Sequence, residues 1–145
     1  MIYLGSDHAG LALKDAIEKR LKEQKRETID LGVFHAEPPA DYPDIAHEVA
    51  EKVRENHEAL GILICGTGMG MCMAANKTPG IRAAVCETEA MAEMSRRHND
   101  ANILCIGGRM LAEDQAMKIV DTFLKTAFET EERHVRRVKK IDKGH

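Results

Sequence analysis

The chain has 145 residues with 21 Lys plus Arg against 24 Asp plus Glu, a formal net charge of −3, so it lacks the positive excess that a nucleic-acid binder needs. Aromatic residues are 3% of the total, too few for the stacking platforms of a single-strand binder, while 43% apolar residues supply the core of one domain spanning 1–145. Cys65, Cys72, Cys86 and Cys105 lie in apolar segments with no C-x-x-C pair and read as reduced thiols, which points to a cytoplasmic setting.

Met1–Gly5 predicts a first strand and Ser6–Gly10 a loop, followed by a helix carrying Leu11, Leu13, Ile17 and Leu21. Asp7, His8 and Lys14 stand where a secretory leader needs unbroken apolar residues, so export is not expected. Residues 26–31 predict a short second strand. Gly32 to Tyr42 reads as a loop through Pro38 and Pro39, and Ile45, Ala46, Val49, Ala50 and Val53 recur at helical spacing after it.

Leu60–Cys65 is an aliphatic run without alternation, as expected of a parallel strand covered on both faces. Gly66-Thr67-Gly68-Met69-Gly70 then predicts a tight turn into a helix, whose free amides and positive dipole end can cradle an anion. Cys65 sits at the rim of this cradle. A thiol there can have its pKa drawn down from about 8.5 towards neutrality and act as base or nucleophile, reacting ahead of the other three; the plainer alternative is a small core residue. Residues 59–76 are uncharged, but four glycines divide them, and no membrane span is expected.

Pro79-Gly80 punctuates the chain before a fourth strand, Ile81–Cys86. A helix follows to about Arg97, His98–Ala101 breaks it, and Asn102–Ile106 is a fifth strand leaving through Gly107-Gly108-Arg109. After another long helix, residues 129–145 form a charged C-terminal helix. On it Arg133 and Arg137 share one face, while Val135, Val138 and Ile141 gather on another that could dock.

This alternation implies an α/β fold: a three-layer α/β/α Rossmann-like sandwich around a parallel sheet of about five strands. Ligands of such sheets bind beyond the carboxyl ends of the strands, where Asp7, His8, Cys65 and Arg109 fall. No G-x-x-x-x-G-K-[ST] or G-x-S-x-G occurs, and the loop after Cys65 lacks the arginine of a cysteine phosphatase. Neither H-x-x-x-H nor a cysteine pair offers a metal nucleus, so no metal is expected. A nucleotide reading survives through Gly66–Gly70 and Glu87, although the spacing is not G-x-G-x-x-G.

Ser6-Asp7-His8, Asp41-Tyr42-Pro43, Ile64–Gly70, Ala74–Lys77, Gly80–Ala83, His98–Asn102 and Arg133-His134 together resemble ribose-5-phosphate isomerase type B along almost the whole chain. The resemblance implies a metal-free aldose-ketose isomerase with no cofactor, interconverting ribose 5-phosphate and ribulose 5-phosphate in the pentose phosphate pathway. It further implies a homodimer or dimer of dimers with the active site near the subunit interface. Carried over by position, Cys65 matches the proton-shuttling base, His98 the ring-opening acid/base, and Thr67 joins them in the catalytic group. Substrate contacts match Asp7, His8, Gly66, Gly68, Met69, Gly70, Asn99, Arg109, Arg133 and Arg137, with Tyr42 lining the pocket. The chemistry agrees, since moving a proton between C2 and C1 needs a base, the enediolate oxygen needs preorganised donors, and arginines bind phosphate bidentately.

Departures and alternatives accompany the resemblance. Glu131-Glu132 stand where the family usually carries glycines, which bears on the path of Arg133. Related members act on six-carbon sugar phosphates such as allose 6-phosphate, and His98-Asn99 argues against a galactose-6-phosphate isomerase subunit. A non-catalytic nucleotide- or sugar-phosphate-binding module is the reading from another class. Taken singly, His8 could serve only to cap the first helix and His98 only to end the fourth.

Overall fold

The computed structural model describes residues 1–144. Five parallel strands, β1 (Ile2–Ser6), β2 (Thr28–Asp30), β3 (Leu60–Cys65), β4 (Ala83–Val85) and β5 (Ile103–Gly107), form one sheet in the order β2-β1-β3-β5-β4. Between and after them run α1 (Leu11–Glu23), α2 (Tyr42–Glu55), α3 (Met69–Ala75), α4 (Glu89–Asn99), α5 (Glu113–Lys125) and α6 (Glu132–Lys143). The predicted Rossmann-like α/β sandwich is the observed fold.

The central strands are buried on both faces, yet their side chains still alternate. Ile62, Ile64, Leu104 and Ile106 pack with Leu13, Ile17 and Leu21 of α1 and with Ile119, Val120 and Phe123 of α5. Leu63, Cys65, Ile103 and Cys105 pack on the other face with Ala46, Val49, Ala50 and Val53 of α2 and Met71 and Ala75 of α3. A period of two therefore persists inside a uniformly apolar run because both layers are helical. Each fully buried aliphatic or aromatic side chain of α5 contributes about 1.5–3 kcal/mol.

The edges and ends differ from the sequence reading. The outer strands β2 and β4 shrink to three residues each and are only partly buried. The second helix starts at Tyr42, before the first periodic residue, with Pro43 in its first turn where a missing N–H costs nothing. The fourth runs through His98 and Asn99 and stops at Asp100, whose φ of 47 ends it in the left-handed region. On α6 the docking face is His134 and Val138, whereas Ile141 is 53% exposed, so a buried imidazole takes the place expected of the apolar stripe.

The order of the strands fixes where a ligand can sit. From β1 the chain moves outward to β2, and from β3 it moves the opposite way to β4, so right-handed crossovers place α1 and α3 on opposite faces. The crevice between these crossovers opens above the carboxyl ends of β1 and β3.

Candidate active site

Three loops meet at that crevice. After β1, the Asp7 carboxylate accepts from the N–H groups of Ala9 (2.9 Å) and Gly10 (3.1 Å), closing a single 3-10 turn over His8–Gly10. Asp7 therefore caps this turn, while α1 has Gly10 at its N-cap with no side-chain bond, so His8 does not cap the first helix. Its own N–H reaches Ile64 O at 3.2 Å, fastening the loop beside the end of β3. His8 is half-buried, and its Nδ1 is buried without a hydrogen-bond partner among the described residues.

The β1 loop is braced from below by Lys14, whose side chain is fully buried. Its Nζ bonds both Asp30 oxygens at 2.8 and 2.7 Å and Val33 O at 2.6 Å. Asp30 also accepts from Gly32 N at 2.8 Å. Gly32 O accepts from Ser6 N at 2.7 Å, and Val33 N donates to Ser6 O at 2.8 Å, so one buried ion pair fixes the residue that leads into Asp7-His8.

Cys65 ends β3 with 4% of its surface exposed, and Gly68 N–H donates to its Sγ at 3.1 Å. The turn depends on Gly68, which adopts φ +83 and lies so close to Ile106 that an added Cβ would stand 3.0 Å from its carbonyl carbon. Thr67 Oγ1 accepts from Met69 N at 3.3 Å, and Thr67 and Met69 are exposed at the rim. The Tyr42 ring packs against Gly70: a Cβ there would come within 2.5 Å of it. The β5 exit interlocks with this turn, since Gly108 N donates to Cys65 O (2.7 Å) and Arg109 N to Gly66 O (3.1 Å). The Arg109 side chain extends over Gly66.

Asp7, His8, Tyr42, Cys65, Gly66, Thr67, Gly68, Met69, Gly70 and Arg109 thus gather in one place. His98, Asn99, Arg133 and Arg137 do not join them. Because α4 runs antiparallel to the strands, His98 and Asn99 precede the start of β5, whereas Cys65 pairs with Gly107 at its far end. Four residue steps of strand separate these levels, roughly 13 Å at about 3.3 Å per residue, far beyond hydrogen-bond reach.

The second cluster is built on α4 and α6. The His98 and His134 rings stack at 4.4 Å with 9° between planes. Their Nε2 atoms lie 3.8 and 3.7 Å from Glu129 Oε2. The opposite oxygen of Glu129 accepts from Arg97 Nε at 2.6 Å. That guanidinium first, and the two imidazoles after it, hold the Glu129 carboxyl below its ordinary pKa against partial burial. Arg133 and Arg137 flank His134 on α6 and are exposed. Glu131 does draw Arg133 aside, at 3.3 Å, but both partners are about 60% exposed, and such a pair is worth about 0–1 kcal/mol.

The sequence reading missed Lys14, Asp30, Arg97 and Glu129, whose partners are distant in the chain, and it left His134 without a role. A thiol to which the sequence reading gave no role is also perturbed. Cys72 has its pKa lowered to about 7 by a hydrogen bond from Cys105, with Val85 and Asn76 adding to it and burial opposing it. Burial pushes Cys86 and Cys105 up, and all four cysteines are free. At the amino end of the sheet a cavity of about 500 Å³ exposes Arg82, Asp100 and Asp142, but Arg82 is already paired with both carboxylates. Among the described residues, no helix is long and apolar enough to cross a membrane.

Comparison with known proteins places this geometry. Residues 2–141 match the family model described as Ribose/Galactose Isomerase. The chain is similar to the probable ribose-5-phosphate isomerase B of Mycoplasma pneumoniae, 49% identical over 140 residues, covering 97% of this chain and 91% of that one. It superposes on ribose-5-phosphate isomerase B of Clostridium thermocellum with a TM-score of 0.94 at 51% identity, covering 98% and 95% of the two chains. The Mycoplasma genitalium enzyme with bound ribulose 5-phosphate gives a TM-score of 0.94 at 47% identity, covering 98% and 93%.

Proposed function

We propose the roles below for a chain that belongs to the ribose/galactose isomerase family, as a ribose-5-phosphate isomerase of type B. It interconverts ribose 5-phosphate and ribulose 5-phosphate, an aldose-ketose isomerisation. The observation that carries the site assignment is Cys65 at the crossover crevice, its sulfur held by Gly68 N–H and flanked by Asp7-His8 and Arg109.

In our reading the Cys65 thiolate takes the proton from C2 of the open-chain aldose. The electron pair passes to O1, giving an enediolate that Thr67 and the Gly66–Gly70 backbone stabilise. Return of the proton to C1, with the O2 proton passing to O1, leaves a hydroxyl on C1 and the ketone at C2. His98 opens the furanose by moving a proton between the O1 hydroxyl and the ring oxygen. Arg133 and Arg137 hold the phosphate, with His8, Asn99 and Arg109 contacting the sugar phosphate, and this remote anchor sets C1 and C2 over Cys65.

Since Cys65 and His98 stand at opposite ends of one sheet, both reach one substrate only if they come from two chains. We therefore read the active unit as a two-fold homodimer, or a dimer of such dimers, in which the His98 end of one protomer covers the Cys65 end of its partner. Exposed Tyr42, Met69, Met73 and Met110 around the Cys65 end suit such a cover. Residues 1–145 act as one isomerase domain, in the pentose phosphate pathway and the cytoplasm, where the free thiols stay reduced.

Turnover of ribose 5-phosphate, followed by appearance of ribulose 5-phosphate, tests the assignment in parallel with allose 6-phosphate and with ATP and NAD titrations. Loss of turnover in Cys65→Ala with substrate binding retained is the expected result. Full activity of that variant, or saturable nucleotide binding without isomerisation, contradicts it.

A further inference from the structure

The His98–His134–Glu129 cluster has features that ring opening does not use. Two imidazole nitrogens and one carboxylate oxygen, brought from α4, from the segment before α6 and from α6, all lie within 4.8 Å of one another. His134 is 4% exposed, and its Nε2 is buried with no hydrogen-bond partner among the described residues. A buried polar atom of this kind calls for a ligand. Arg97 takes one oxygen of Glu129 and leaves Oε2 turned to both imidazoles.

We propose that His98, His134 and Glu129 form a binding site for a divalent transition-metal cation of the zinc or cobalt(II) class, and that occupancy withdraws His98 from the substrate. Two imidazoles and a carboxylate are the donors that borderline cations favour, and His98, 38% exposed, leaves a further position open to water. Bonds of about 2.1 Å in a tetrahedron put neighbouring donors roughly 3.4 Å apart, so the present 3.7 and 3.8 Å need to close by only a few tenths of an ångström. The parallel rings must also tilt, because a cation in the plane of both cannot sit between stacked imidazoles. Buried His134 stays fixed while the half-exposed His98 swings. The positive charge of Arg97 opposes the cation, and the Glu129 carboxylate offsets it.

The site itself stands apart from the catalytic assignment; the inhibitory half rests on the reading of His98 given above. Metal-free enzyme is titrated with Co2+ while visible absorption is recorded, and in parallel isomerase activity is measured with Zn2+ and again after EDTA. One cobalt per chain is expected, with ligand-field bands and no thiolate charge-transfer band. His134→Gln and Glu129→Gln should each weaken binding by at least about tenfold, since losing a donor to the cation costs no less than losing a group that merely orients one. Zn2+ should inhibit, EDTA should reverse the inhibition, and His134→Gln should resist it. Circular dichroism checks that His134→Gln folds, and Glu129→Gln carries the test if it does not. Failure to bind cobalt, binding unchanged in both variants, or a charge-transfer band assigning the cation to a cysteine overturns the site. Cobalt bound through these residues with no loss of turnover keeps the site and overturns the role of His98.

Discussion

Replacing Lys14 with Met removes a fully buried ammonium and the three bonds of 2.6–2.8 Å that it donates to Asp30 and Val33 O. The Asp30 carboxylate, 10% exposed, then faces the Val33 carbonyl with only the Gly32 N–H to hold it. Breaking a buried pair from one side costs about 3–5 kcal/mol, a large share of the roughly 5–15 kcal/mol that holds a domain together. At roughly 2–4 °C per kcal/mol for a chain of this size, the thermal midpoint should fall by about 6–20 °C. Ser6 is pinned by Gly32 and Val33, so the loop carrying Asp7 and His8 should loosen as well, lowering kcat/KM in whatever fraction remains folded. Lys14→Met/Asp30→Asn removes the stranded charge while keeping an acceptor for Gly32, and should recover more than half of the loss. Urea unfolding at one fixed protein concentration measures all three chains. A single-variant cost below about 1 kcal/mol, or a double variant no better than the single, would show that Asp30 keeps its water and that the clamp does not brace the site.

Cys65→Ala should abolish turnover while Cys72→Ala leaves it nearly unchanged; substantial turnover by the Cys65 variant removes the base assignment. Iodoacetamide should nonetheless label Cys72 first, because its lowered pKa makes it half thiolate at about pH 7, with labelling slow below that pH and fast above it; mass mapping that finds Cys65 labelled first refutes this order. Gly70→Ala puts a methyl 2.5 Å from the Tyr42 ring, which is 40% exposed and can swing away, so KM should rise several-fold while the unfolding midpoint barely moves; a large drop in stability contradicts that picture. His98→Asn should lose most turnover of ribose 5-phosphate yet still exchange the C1 proton of ribulose 5-phosphate with heavy water, since that ketose carries phosphate on O5 and cannot close to a furanose. Equal loss of exchange in His98→Asn and Cys65→Ala, followed by NMR, sinks the ring-opening role.

Local pattern made the layers legible. The aliphatic run Leu60–Cys65 and the glycines behind it announce a buried strand and a turn, because burial on two faces and backbone freedom each restrict which residues fit. The end of α4 was not legible, since His98 and Asn99 look like breakers by composition while Asp100 supplies the left-handed stop. The cluster of His98, Glu129 and His134 was equally hidden: its members come from three segments that only tertiary packing brings together. The lowered pKa of Cys72 was hidden as well, because it depends on Cys105, Val85 and Asn76, which only folding brings around the thiol. Nor could the sequence say that the matched site residues divide between the two ends of the sheet. That division follows from helix direction, which appears only once the crossovers are traced.

The two-chain active site is tested most directly by mixing two inactive variants. Equal amounts of Cys65→Ala and His98→Asn chains are unfolded together, refolded and assayed with ribose 5-phosphate. In a mixed two-fold dimer, one site collects both altered residues and the other is wild type. Random pairing makes half the dimers mixed, so about a quarter of wild-type activity should return. If Cys65 and His98 served the same site from one chain, no dimer would hold an intact site, and the mixture would stay as inactive as its parents.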